Sequence, residues 1–104
     1  MRRNKYTVDL SERAEEMLLR HSEFLARVSV PAARKFIAAF RTAAGGLKEN
    51  PERFPFLALD GIPPKLYRKC LFLDRYELIF LICESNVSID AIRDCRQDPE
   101  NIFS

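Results

Sequence analysis

The sequence predicts an α+β domain in which an antiparallel helical hairpin covers one face of a sheet. Three observations predict it. Residues 6–10 alternate apolar and polar, as a half-buried strand does. Two stretches then place apolar residues at three- and four-residue steps, each introduced by a serine suited to cap a helix. Three β-type segments follow, joined by connections of hairpin length.

The first helix begins after Ser11. Glu12, Glu15 and Glu16 favour the positive end of its dipole. Its apolar stripe is Ala14, Met17, Leu18, His21, Leu25 and Val28. Ser29 caps the second helix, and Pro31 sits in the first turn, where a missing N–H costs nothing. Ala33, Phe36, Ile37, Phe40, Ala44 and Leu47 form its stripe. Gly45-Gly46 weakens the end of this helix, and Asn50-Pro51 stops it. The short junction at Ser29 makes the pair a hairpin.

Residues 51–64 hold four of the six prolines and read as a connecting loop, anchored by Phe54 and Phe56. The strands of the meander are expected at residues 66–73, 76–83 and 87–92. The middle one is nearly all apolar and reads as the central strand. Val87, Ile89 and Ile92 break strict alternation, which points to a bulge near Asp90-Ala91. Helices on one sheet face leave the other face for solvent or a ligand.

The 104 residues make one domain, residues 1–104, with 47% hydrophobic and 31% charged residues, a balance that builds a core and excludes a disordered chain. Net charge is +2, so composition alone does not announce a nucleic-acid binder. The distribution is uneven. Residues 30–48 carry Arg34, Lys35, Arg41 and Lys48 with no acid, and residues 65–75 carry Lys65, Arg68, Lys69 and Arg75 against Asp74 alone. Cys70, Cys83 and Cys95 are odd in number and widely spaced, with no C-x-x-C pair. That speaks against zinc and for free thiols in a reducing cytosol. No signal-type or membrane-spanning apolar run is present, so a cytoplasmic protein without a membrane partner is expected.

Several short motifs recur in a recognisable order. Leu47-Lys48-Glu49-Asn50-Pro51-Glu52-Arg53-Phe54-Pro55 ends the hairpin. Tyr67-Arg68-Lys69 opens a strand, Arg75-Tyr76-Glu77-Leu78-Ile79-Phe80 begins the next, and Ile92-Arg93-Asp94-Cys95-Arg96-Gln97-Asp98 follows the last. In order and spacing, from Tyr6 to Phe103, the chain resembles the RelE/ParE superfamily of type II toxin–antitoxin toxins, the plasmid stabilisation proteins. The resemblance implies a toxin held inactive by a cognate antitoxin. It implies one of two targets: the ribosome, where RelE-like members cut mRNA, or DNA gyrase, on which ParE-like members act without cutting RNA. A degenerate, non-toxic member that only binds an antitoxin is a further alternative. Fold alone does not choose among them.

Cleavage of RNA by 2′-hydroxyl attack needs a base, a cation at the phosphate and an acid for the leaving oxygen, and no metal or other cofactor. By position in the family pattern, Arg68, Arg93 and Arg96 are the catalytic candidates, and Lys69, Arg75 and Phe103 the substrate-binding ones. They converge if the C-terminal tail runs back beside the meander. The sequence departs from the RelE-like pattern in carrying Glu77 after the strand tyrosine and neither His nor Tyr after Arg96. Strand alternation puts Arg75 and Glu77 on one face and Tyr76 on the other. His21, the only histidine, reads as a packed helix residue, and Arg68 has Asp90 or Asp94 as alternative ion-pair partners. An antitoxin has two plausible landing places, the basic second helix and the sheet edge at residues 6–10.

Overall fold

The computed structural model describes residues 5–96 of the chain. Its elements run β1 (Thr7–Leu10), α1 (Glu12–Val28), α2 (Val30–Gly46), a 3₁₀ turn (Pro51–Arg53), β2 (Arg68–Phe72), β3 (Tyr76–Cys83) and β4 (Asn86–Asp94). The caps fall where the sequence places them. The Ser11 hydroxyl accepts from the Ala14 N–H at 3.1 Å. Ser29 serves both helices: its N–H bonds the Leu25 carbonyl, and its hydroxyl accepts from Ala32 at 3.2 Å. Asn50 takes the left-handed conformation (φ 56°), which asparagine tolerates better than most residues, and turns the chain out of the hairpin into Pro51.

The sheet order is β1-β4-β3-β2. β2, β3 and β4 form the expected antiparallel meander, whereas β1 joins β4 in parallel, so the sheet is mixed. The register slips between Ile79 and Phe80, whose partners are Ala91 and Ile89, which leaves Asp90 as the bulged residue. β2 begins at Arg68 rather than at residue 66, and β4 runs on to Asp94. The β2–β3 turn has positive φ at Leu73 and Asp74 and an Arg75 N–H to Phe72 carbonyl bond of 3.3 Å. That is the type I′ pattern, which matches strand twist even without Asn-Gly.

The hairpin packs on one sheet face. Ala14 of α1, Phe36 and Phe40 of α2 and its C-cap residue Leu47 meet Cys70 and Phe72 of β2, Tyr76, Leu78 and Phe80 of β3, and Val87, Ile89 and Ile92 of β4. Phe36 is the pivot, with ring centroids 4.7 Å from Tyr76 and 5.8 Å from Phe72. Burying each such side chain contributes about 1.5–3 kcal/mol. The opposite face is not wholly open. Leu57, Leu59 and Tyr67 from the long loop pack onto Ile79 and Ala91 and cover part of it.

β1 is short and pairs only with Asn86–Ile89 of β4. Beyond that point α1 seals the exposed β4 edge. The Ser11 N–H donates to the Ile89 carbonyl at 3.0 Å, and His21 Nε2 lies 3.0 Å from the Ile92 carbonyl. The α1 cap residue and a helix side chain therefore meet backbone acceptors on this edge past the last residue of β1.

Candidate functional site

The charged residues of the meander separate into three groups. On the face away from the helices, Glu77 of β3 stands opposite Arg93 of β4. Their side chains form a direct ion pair, and Lys69 Nζ of β2 approaches the other Glu77 oxygen at 3.8 Å. Glu77 is only 7% exposed. Arg93 is nearly as sheltered, and its buried Nε has no hydrogen-bond partner among the described residues. Cys95 lies close to this trio. Burial first, and then the Glu77 charge, push its thiol above the ordinary value, so it is a poor nucleophile.

The second group lies at the β2–β3 turn. Arg75 reaches Asp94 with Nε at 3.2 Å and Nη2 at 2.9 Å from Oδ2, a forked ion pair. Burial alone would raise the Asp94 carboxyl. The Arg75 bonds, the Arg96 N–H at 3.0 Å and nearby positive charge overcome that and hold it below the ordinary carboxylate value.

Arg68 forms the third. It shares strand parity with Cys70 and Phe72, which enter the helix-side core, while Arg93 shares parity with Glu77's partners on the other face. Its Nη1 donates to the backbone carbonyls of Phe54 at 2.7 Å and Glu52 at 3.0 Å, and its guanidinium stacks 3.9 Å from the Phe56 ring. Arg68 therefore ties the long loop to β2 rather than pairing with Asp90 or Asp94.

Thus the structure brings Lys69 and Arg93 together around Glu77 and places Arg75 at Asp94, but it does not gather Arg68 with Arg93. Arg96 is exposed just past β4, with its backbone N–H on Asp94. Phe103, like Gln97 and Asp98, lies outside the described residues. The acid–base candidates are occupied as well. Tyr76 is 3% exposed in the core, with its phenol pushed up by burial. The Tyr67 hydroxyl donates to Asp90 Oδ2 at 2.9 Å, and burial followed by that bond raises its phenol. His21 sits edge-on to Phe36 and Tyr76 with Nε2 at the Ile92 carbonyl, the packed role its helical stripe suggests. No group of three metal-ligating side chains occurs among the described residues.

Strand parity was the signal that could have separated Arg68 from Arg93 in the sequence. Its loop carbonyl partners had no signal, because backbone acceptors carry no residue identity.

Comparison with known proteins agrees with this architecture. A family model described as the ParE toxin of the type II toxin–antitoxin system parDE matches residues 8–99. A search of curated proteins by sequence gave no match. Among solved structures, a chain from a "Chromosomal ParDE TA system from P. aeruginosa" superposes with a TM-score of 0.72 at 12% identity. The match covers 86% of this chain and 96% of that one. At that identity the likeness speaks for the fold. The family model spans most of the sequence, and on it the chain belongs to the ParE toxin family of type II toxin–antitoxin systems.

Proposed function

We propose that this toxin acts by binding DNA gyrase and blocking its cycle, without cutting RNA, and that a cognate antitoxin neutralises it by covering its surface. One observation carries the reading: among the described residues the sheet's candidate base, acid and phosphate cations, Glu77, Tyr67, Arg68, Arg75 and Arg93, are each already engaged, and Arg96, whose exposed side chain is not, stands past the end of β4. Glu77 is held by Arg93 and Lys69, Tyr67 by Asp90, Arg75 by Asp94, and Arg68 by loop carbonyls. A cation neutralised by a carboxylate 3 Å away gives up much of its field at a scissile phosphate. A surface that works by binding has no such requirement. For the antitoxin, Phe24 and Val28, one turn apart on α1, and Val30 are exposed near the hairpin tip and offer apolar anchors to an amphipathic segment.

The competing reading is ribosome-dependent cleavage of mRNA, with Arg68, Arg93 and Arg96 at the phosphate and Lys69, Arg75 and Phe103 holding substrate. It would need the sheet-side ion pairs to open on the ribosome. The decisive experiment induces the chain in a bacterial host, maps transcript ends and follows plasmid supercoiling, then repeats both with purified gyrase and a translation extract. Relaxed plasmid, inhibited purified gyrase and intact transcripts support the proposal. Codon-positioned transcript cuts with normal supercoiling refute it.

A further inference from the structure

Four exposed cations lie along the second helix of the hairpin and just past its end. α2 buries Ala33, Phe36 and Phe40, the two phenylalanines against the strands. Along the exposed flank of that stripe Arg34 and Arg41 stand seven residues apart, Lys48 continues their line just past the helix end, and Lys35 stands about 100° round the helix from them. All four are exposed, and none has an ion pair or a side-chain hydrogen bond among the described residues. No acid occurs anywhere in residues 30–48. Arg34 and Arg41 lie on one line, about 10 Å apart by the ordinary helical rise.

Between the cations the face is smooth. Ala38, Thr42 and Gly45 fill the gaps, all exposed, and a Cβ at Gly45 would meet nothing within 4 Å. The exposed large apolar side chains Phe24, Val28 and Leu71 lie elsewhere, Val30 stands one turn before Arg34 at the start of α2, and none falls in residues 31–48. Protein partners are held chiefly by aromatic and aliphatic anchors in pockets, with rim charges contributing little. Single-stranded nucleic acid is held by stacking on aromatic side chains. From Arg34 to Lys48 this face has neither anchors nor rings. A straight, acid-free row of cations with small residues between them is complementary to the sugar–phosphate rail of a duplex, approached closely and read without regard to sequence.

We propose that the outer face of α2 contacts duplex DNA through its phosphates. The choice of DNA over other polyanions rests on the gyrase reading, since gyrase works on a bound duplex. Contact with that duplex raises the toxin's local concentration at its target and adds a second point of attachment.

The test uses the purified full-length toxin and a labelled random-sequence DNA duplex, with affinity followed by fluorescence anisotropy across a salt series. Three phosphate contacts, from Arg34, Arg41 and Lys48, give a slope of log affinity against log salt of about −2.7. Arg34→Gln/Arg41→Gln flattens that slope by about 2 and weakens low-salt binding about tenfold or more. Arg20→Gln/Lys65→Gln removes the same net charge elsewhere on the surface and leaves the slope in place. Circular dichroism shows that both variants keep the fold. Equal losses in the two variants, salt-independent binding, or tighter retention of polyglutamate or duplex RNA than of DNA would overturn the proposal. Gyrase is absent from this assay. Failure here with continued inhibition of purified gyrase removes this inference and leaves the gyrase reading standing; the reverse result does the opposite.

Discussion

Glu77→Gln separates a structural from a catalytic role for the open-face trio. The Glu77 and Arg93 side chains are 10% and 15% exposed, so their pair is screened little by water. Removing one member of a buried pair typically costs about 3–5 kcal/mol, because the other charge stays desolvated. Lys69 gives Arg93 no relief, since it carries the same sign, and the Arg93 Nε is already without a partner. The expected loss is about 3 kcal/mol, and for a domain of this size that lowers Tm by about 15 °C. Replacing both members with apolar residues, Glu77→Leu/Arg93→Met, leaves no stranded charge and returns stability to within about 1 kcal/mol of the parent. Thermal and urea denaturation of the parent, the single variants and the double variant complete the cycle, and growth arrest on induction is scored for each. If the double variant is stable and still toxic, Arg93 is a structural residue. The reasoning fails if Glu77→Gln costs under about 0.5 kcal/mol, or if the stable double variant is inert.

Three further outcomes follow from the same contacts. The Asp94 carboxyl is held below the ordinary aspartate value in the folded state, which therefore binds its proton less readily than the unfolded chain. Its contribution is complete above the unfolded value and disappears as pH falls through the folded one; urea midpoints should drop below about pH 4, and Asp94→Asn should remove that part of the acid dependence. Arg68→Ala gives up two charged hydrogen bonds and a stacked ring, which costs about 2 kcal/mol and loosens the loop near Phe54, read as faster amide exchange at Leu57 and Lys69. Phe36→Ala empties the pivot of the helix-side core and costs about 3–5 kcal/mol by urea denaturation.

What the sequence disclosed depended on whether the deciding interaction was local. Ser11 and Ser29 are caps, and Pro31 a first-turn residue, because the groups they satisfy lie within one helical turn. The bulge at Asp90 showed itself in the spacing of Ile89 and Ile92. The direction of β1 was not legible, since parallel pairing with β4 is decided some eighty residues away in sequence. Nor was the partial cover over the far sheet face, where Leu57 and Tyr67 settle on Ile79 and Ala91. Among the site residues, Tyr76 and Glu77 were correctly divided between faces by strand alternation, but Arg75, expected on the Glu77 face, lies over the Tyr76 ring and reaches Asp94, because it stands in the turn before β3 where alternation does not hold. The same rule, applied to Arg68 through Cys70 and Phe72, separates it from Arg93.

A positive residue can serve a phosphate only to the extent that the protein has not already neutralised it. On this measure the two basic regions of the sequence part company. The cations of the meander sit between strands, where a desolvated charge without a partner would be costly, and the fold supplies Glu77, Asp94 or backbone carbonyls in compensation. The cations of α2 stand on a helix face in water, where an unpaired charge costs almost nothing; residues 30–48 contain no carboxylate, and none is ion-paired to these cations among the described residues. Electrostatic reach beyond the molecular surface therefore belongs to the hairpin, although the motif resemblance draws attention to the sheet. A toxin that cut RNA on its sheet would have to break internal ion pairs before every turnover. One that holds a duplex beside its protein target needs only the charge that is already free.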